Sequence, residues 1–439
     1  LTDVFAIQSA LAQEIANQLK AKLSPDEVNR IKERPTTNDE AYKLYLQAHT
    51  MYSRAEETLE TLQRAEQLYE KATQLDPSFA LAFARLAHIE SWIYYLFDPT
   101  PERLTRARSA ANEATRLQPN APESHLAAGF VAYYGDRNYE RALREFEIAR
   151  RDLPNDSSVF LAIASIERRQ GNWKQSIADY EKAASLSPSD PIIIENLGLT
   201  YQAVRDFPAA AKAFDRAVAL VPNSFEAQSL RATVDMEWKG DLTRMKNLLA
   251  TLPPDFESFG TVALARFNVC FFERKFDEAL NVLWRSPLEN LHGQTSTPLP
   301  KSFLAAQVYR LIPDPEKAQA EYEHALSIAQ RAVAESPQDS ARHALLGLIY
   351  AGLGRKDDAI YEGNRALELL PESKDALDAP VLVIAMARIY AITAQYEKAI
   401  ELLQHSLQTP AGLTIHEIQL DPTWDVLREH PGFKALMRL

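Results

Sequence analysis

The chain has 439 residues, enough for two or three globular domains or for one continuous array. It is 46% hydrophobic and 25% charged, with 13 glycines and abundant alanine, a composition that suits folded helices. A net charge of −12 argues against a nucleic-acid surface, which needs a positive patch, and a single cysteine, Cys270, excludes an intrachain disulfide and a thiolate metal cluster.

The chain begins at Leu1 without a methionine or a signal-peptide pattern, so it is expected to be a piece of a longer polypeptide. Residues 1–24 read as an amphipathic helix with Val4, Ile7, Leu11, Ile15 and Leu19 on one face. Ser24-Pro25-Asp26-Glu27 starts a second short helix, with Ser24 as N-cap and Pro25 in the first turn. Arg34-Pro35-Thr36-Thr37-Asn38 is a linker, completing a first segment over 1–38.

A ladder of small, aromatic, small and proline follows. It reads Ala142, Phe146, Ala149 and Pro154, then Ser176, Tyr180, Ala183 and Pro188, then Ala210, Phe214, Ala217 and Pro222. Every rung recurs 34 residues on, and such a period marks stacked helical hairpins. Ten units are expected over 40–77, 78–119, 120–154, 155–188, 189–222, 223–254, 255–287, 298–337, 338–371 and 376–410. The second is lengthened through Tyr94–Phe97 and Asp98-Pro99-Thr100-Pro101, and the sixth and seventh are degenerate, with Arg231 where leucine belongs and Trp238, Phe276 and Trp284 off pattern.

The clearest unit runs from Pro191 to Pro222. Ile194, Leu197, Gly198 and Tyr201 share one face of a first helix. Gly198 lets the partner helix approach, Ala210 is the small residue expected opposite it, and Pro222 stops the second helix. Residues 286–300 (SPLENLHGQTSTPLP) form a loop, either a hinge or an irregular junction, between an N-terminal block (39–287) and a C-terminal block (301–410), with 288–300 as the irregular stretch. A terminal cap over 411–439 carries Asp421-Pro422-Thr423-Trp424-Asp425, then Leu427, Arg428, Pro431 and Phe433. No stretch reaches the roughly 18 apolar residues of a membrane span; the best candidate, Val381 to Ile392, contains Arg388.

Ile194, Leu197, Gly198, Tyr201, Ala210, Phe214, Ala217 and Pro222 closely resemble the signature of the tetratricopeptide repeat family. Leu346, Gly347, Tyr350, Ala359, Ala366 and Pro371 repeat it, with Gly363 in place of the aromatic. The resemblance implies an all-α, right-handed α-solenoid of about ten hairpins with helical caps. The run DVFAIQSALAQEIANQL (3–19) and the end from Leu420 to Phe433 are similar to segments of bacterial regulators in which such repeats are joined to a TolB-like domain and an output domain. That output is an adenylyl cyclase, a serine/threonine kinase or a winged-helix transcription factor.

Nothing in the sequence forms a catalytic constellation. Gly352 and Gly354 fall in a turn between two helices and read as structural, not as a phosphate loop. His88 and Glu90 are two apart on a helix and do not share a face, and His416-Glu417 is isolated, so neither is a metal site. Asp357-Asp358 begins a helix and complements its dipole. Cys270 lies in the apolar run Phe267–Phe272 and reads as buried and inert. No enzyme activity, cofactor or metal is expected.

The resemblance instead places a partner groove on the first helix of each unit. Its candidates are Tyr42, Tyr45, His49 and Tyr52; Arg85, His88 and Trp92; Tyr133 and Tyr134; Arg168 and Arg169; and Glu195, Asn196 and Gln202. Aromatics beside arginine are the composition of an interaction hot spot, although the same rings could pack between units. Leu161, Ser165, Glu195 and Leu199 stand where a clamp for chaperone tails needs lysine and asparagine, and Asn196 alone matches. The expectation is a non-catalytic scaffold binding protein or peptide, without nucleic-acid or membrane contact by this region and with self-association left open. A cytoplasmic location is expected, or a periplasmic one if a membrane segment precedes the chain.

Overall fold

A computed structural model describes residues 5, 7, 9–11, 14, 33–54, 59–253, 260–292, 298–312 and 314–438. The remaining expectations for the first 32 residues, the side chain of Tyr52 and the middle of the 286–300 loop lie outside them. The described residues among the first 32 are helical and 33–38 are not; Phe5 meets Tyr42 edge-on at 5.9 Å, while Ile7 and Leu11 are exposed.

The chain divides into two compact units, Leu1–Pro154 and Asn155–Leu439. Among its described residues, unit 1 stacks three helical hairpins: α1 (Asp39–Arg54) with α2 (Leu59–Leu75), α3 (Ala80–Leu96) with α4 (Pro101–Leu117), and α5 (Pro122–Phe130) with α6 (Tyr139–Asp152). A π-helical turn, Val131–Gly135, extends α5. Among its described residues, unit 2 has seven hairpins: α7 (Ser157–Arg169) with α8 (Trp173–Leu186), α9 (Pro191–Ala203) with α10 (Phe207–Leu220), α11 (Phe225–Lys239) with α12 (Thr243–Thr251), α13 (Gly260–Phe272) with α14 (Phe276–Arg285), α15 (Lys301–Leu311) with α16 (Pro315–Glu335), α17 (Ser340–Gly352) with α18 (Lys356–Leu369), and α19 (Ala379–Ile392) with α20 (Tyr396–Gln408). The cap adds α21 (Ile415–Leu420), a 3-10 turn (Pro422–Leu427) and α22 (Pro431–Leu436). The fold is all-α. The described strands are β1 (Asn290–Leu291) and β2 (Leu299–Pro300), an antiparallel pair that ties together the ends of the 286–300 loop.

The sequence sets each helix boundary locally. Asp156, Asp190, Asp206 and Asp339 accept hydrogen bonds from first-turn amides, and Pro101, Pro122, Pro191 and Pro315 sit where a missing N–H costs nothing. At the other end, Leu153, Ser187, Val221 and Leu370 each donate back to the alanine four residues earlier, and the following proline stops the helix. Between the two helices of a hairpin the backbone turns left-handed. Gly171 (φ 76°), Arg205 (61°), Gly240 (69°), Arg274 (58°), Gly354 (73°) and Ala394 (58°) hold that position in unit 2.

The ladder residues form the interior. Ala210, Phe214 and Ala217 are fully buried, as are Ala142, Phe146 and Ala149. Close approach at Gly198 is made by the Phe214 ring itself: a Cβ at Gly198 would lie 2.7 Å from it, and one at Gly129 would lie 2.3 Å from the Phe146 ring. In the ninth hairpin Gly363 removes that ring. A Cβ at Gly347 would meet the Ala359 carbonyl oxygen at 3.0 Å and the Gly363 nitrogen at 3.1 Å, so two backbones are in contact. Gly352 ends α17 beneath Tyr322, whose ring a Cβ would strike at 2.2 Å. The degenerate units keep apolar cores, Leu249 with Val262 and Val269 and Phe267 with Phe271 and Leu283, and the sixth adds further contacts at its off-pattern residues. Arg231 bonds Asp215 at 2.7 Å and pairs with Asp235 at 3.1 Å, while Trp238 stacks on Phe207 at 6.2 Å. Trp424, Leu427 and Phe433 of the cap share one core with Ala387, Ala391, Ala399 and Leu403 of the last hairpin.

Gly198→Leu is expected to displace the Phe214 ring and to destabilise by roughly 1–3 kcal/mol. Gly354→Ala, which meets nothing within 4 Å, carries only the left-handed backbone cost, about 1 kcal/mol. Thermal melts of the two variants should therefore rank Gly198→Leu lower; equal melting points would refute the packing role of Phe214.

Candidate functional site

In unit 1 the first helices of successive hairpins carry an aromatic wall. Tyr42 and Tyr45 are stacked at 6.2 Å, and Tyr45 stacks on His49 at 6.0 Å. Tyr45 is buried and also meets Tyr69 and Phe79, so it is part of the core. His88 lies flat against Phe130 at 3.7 Å. Trp92 meets Tyr134 at 4.9 Å and Tyr95 at 5.9 Å, and Tyr134 stacks on Tyr133 at 4.3 Å. The π-helical turn places Tyr133 and Tyr134 consecutively in this cluster. Tyr133 is buried against Tyr139, whereas Trp92, Tyr95 and Tyr134 keep part of their surface exposed. A narrow cleft beside them is lined by Arg85, His88, Glu123, Leu126 and Phe130.

Electrostatics follow from this crowding. Burial, aided by the Arg85 charge, pushes the His88 imidazole down to about 3, and the same two causes lower His49. Glu90 turns away from His88 into an ion-pair network. Arg103 Nη1 lies 2.6 Å from Glu90 and 3.2 Å from Glu66, and its Nε lies 2.7 Å from Asp98 in the inserted segment. Arg106 approaches Glu66 at 2.9 Å, Glu90 at 3.2 Å and Glu70 at 3.6 Å. Burial and then the neighbouring Glu66 push Glu90 up to about 8. Glu66, Glu70 and Glu90 bring oxygens within 4.8 Å of one another, a donor set for a cation, but Arg103 and Arg106 already pair with it.

The unit 2 candidates have other occupations. Arg168 is buried, donates to Asn196 Oδ1 at 3.0 Å and to Thr200 Oγ1 at 3.3 Å, and lies over the Tyr180 ring at 5.4 Å. Arg169 is buried in ion pairs with Asp375 and Asp378, both at 2.8 Å. Asn196 also donates to the Ile192 carbonyl, and Gln202 donates to Glu237 at 2.7 Å. Glu195 is half-buried. Cys270 is half-buried against the largest core cluster, and burial raises its thiol.

Family models for tetratricopeptide repeats match residues 46–79, 164–204, 196–234 and 316–374. The chain carries tetratricopeptide repeats. Such repeats are interaction modules that bind protein or peptide partners. Protein CTR9 homolog of Arabidopsis thaliana is 23% identical over 309 residues, covering 69% of this chain and 27% of that protein. Putative adenylate cyclase 3 of Rhizobium meliloti (strain 1021) is 29% identical over 127 residues, 28% of this chain and 21% of that protein. The chain thus aligns with about a quarter of the length of each of these relatives. Among solved structures, the human IFIT1 dimer with m7Gppp-AAAA is similar over 83% of this chain and 76% of that one, at 16% identity and a TM-score of 0.46. A thermophilic tetratricopeptide-repeat protein of Thermus thermophilus is similar over 44% of this chain and 98% of that one, at 16% identity and a TM-score of 0.38.

Sequence reasoning missed the polar contacts that fold unit 2 back on itself, including Arg205, Arg274, Asp375 and Asp425. One signal was available: arginine recurs in the hairpin turns at Arg137, Arg205 and Arg274, about two periods apart each time.

Because burial holds His88 neutral, its contribution to stability is full above pH 6.5 and decays as pH falls below that value. Scanning calorimetry of His88→Gln is expected to show a smaller loss of melting temperature between pH 7 and pH 5 than the parent. An unchanged loss would mean that the ring is not desolvated.

Proposed function

We propose that this chain is a non-catalytic scaffold, the partner-binding or sensory module of a larger bacterial regulatory protein. The observation that carries the reading is the partly exposed aromatic wall of unit 1, Trp92, Tyr95 and Tyr134 with Tyr42 and Arg85, set on repeats of an interaction family. Aromatic rings with an arginine nearby supply large contact area at low entropic cost, the pattern of an interaction hot spot. A protein or peptide segment is the occupant that such a face suits, and an excess of acidic charge disfavours a nucleic acid. Arg168 and Arg169 are engaged within unit 2, so the proposed face centres on unit 1.

A second reading is favoured by the match to a putative adenylate cyclase. In it, the repeats regulate or oligomerise a signalling enzyme whose catalytic domain precedes them. The coding sequence upstream of Leu1 separates the two readings.

Pull-down with the chain as bait from a bacterial lysate is expected to recover a protein partner, and recovery of none opposes the scaffold reading. Trp92→Ala with Tyr134→Ala should weaken a recovered partner at least tenfold with little change in melting temperature. Loss of stability without loss of affinity would instead make these rings packing residues.

A further inference from the structure

Four successive hairpin turns of unit 2 touch four later segments of the same unit, in the same order. At the first, the Arg169 carbonyl accepts from the Ala376 amide at 2.6 Å, while its guanidinium pairs with Asp375, which is fully buried, and with Asp378. At the second, the Ala203 carbonyl accepts from the Ala411 amide at 2.8 Å, and Arg205 donates to the carbonyls of Ser406 (3.1 Å) and Leu413 (3.0 Å). At the third, Gly240 lies against the His416 ring, with room for a Cβ only at 3.5 Å. At the fourth, Arg274 pairs with Asp425 at 2.7 Å and donates to the Leu420 carbonyl at 3.4 Å.

These contacts are polar and built largely from backbone carbonyls and arginine. Helices within a hairpin meet through buried alanine and aromatic side chains, which is a different kind of interface. At the centre of the closure, α11 packs on α21, bringing Glu237 and Glu417 into one another's field.

We propose that the segment from Asp375 to Asp425 is a releasable clasp, holding unit 2 closed on itself and opening as pH rises, with Glu237 and Glu417 as its trigger. Loss of solvent and the neighbouring Glu417 push Glu237 up to about 8, against the opposing hydrogen bond from Gln202 and the charge of Arg205. Glu417 is raised by the same loss of solvent, opposed by Thr414, Arg205 and Arg388. Other charged and titratable groups also surround the pair. Asp235 is held by Arg231 and Arg244, Asp421 by Arg388 at 2.9 Å, and His416 lies against Gly240. A carboxyl raised in the closed state binds its proton more tightly there than in the open one. Closure is therefore complete below the ordinary glutamate range and weakens as pH rises through about 8. Each coupled proton changes the closure equilibrium up to about tenfold per pH unit across that window.

Hydrogen–deuterium exchange on the full chain at pH 6.5 and pH 9 tests this, with protection factors corrected for intrinsic exchange. The amides of Ala376 and Ala411 should lose at least tenfold in protection at pH 9, while those inside α17 hold theirs. Glu237→Gln with Glu417→Gln should keep both amides protected at pH 9. Equal protection at the two pH values in the parent, or an undiminished pH dependence in the double variant, overturns the proposal. Should the double variant fail to fold, small-angle scattering of the parent decides: an unchanged radius of gyration between pH 6.5 and pH 9 overturns it and an increase supports it. No partner enters either measurement, so failure here leaves the scaffold reading standing.

Discussion

The structure depends on one contact repeated along the chain: an aromatic ring from the second helix of a hairpin filling the space where the first helix lacks a side chain. Phe214 occupies it at Gly198 and Phe146 at Gly129. The ring is fully buried in both cases, and it fixes the spacing of the two helices within a hairpin. Where Gly363 removes the ring, the helices close until backbone meets backbone at Gly347. Ile389 Cδ1 from the following hairpin, 2.9 Å from where a Cβ at Gly347 would lie, shares the gap.

A hairpin spaced in this way needs a tight turn, and the turn must pass through the left-handed region. Glycine does so freely at 171, 240 and 354, whereas Arg205, Arg274 and Ala394 do so at a steric cost of order 1 kcal/mol. Arg205 and Arg274 are also residues that reach across to the end of the chain. At Arg205 and Arg274 the strained backbone therefore coincides with a long-range contact, and the guanidinium bonds offset its cost.

Much of this was legible beforehand. The ladder gave ten hairpins, the proline boundaries and the glycine at the point of closest approach, because each depends on residues within one repeat; the capping aspartates are equally local but were not read beforehand. The groove was harder to read. Tyr45 and Tyr133 share the register of Tyr42 and Tyr134 but are buried, since Tyr69, Phe79 and Tyr139 from neighbouring helices cover them. Arg168 and Arg169 were expected in the groove, yet both are engaged: Arg168 by Asn196 and Thr200 of the next hairpin, and Arg169 by Asp375 far along the chain. The His88–Glu90 pair separated as helical geometry requires, one residue turning to Phe130 and the other to Arg103.

The sequence by itself determined the hairpins, their order and their boundaries. Those follow from periodicity, capping and turn chemistry, which act over a few residues. Only the tertiary structure decided which aromatics line a surface, and which arginines pair with Asp375, Asp378 and Asp425. It also decided that Glu237 and Glu417 meet where unit 2 closes on itself. The physical reason is range: desolvation and ion pairing depend on what the fold brings near, from segments as far apart in the chain as Arg169 and Asp378.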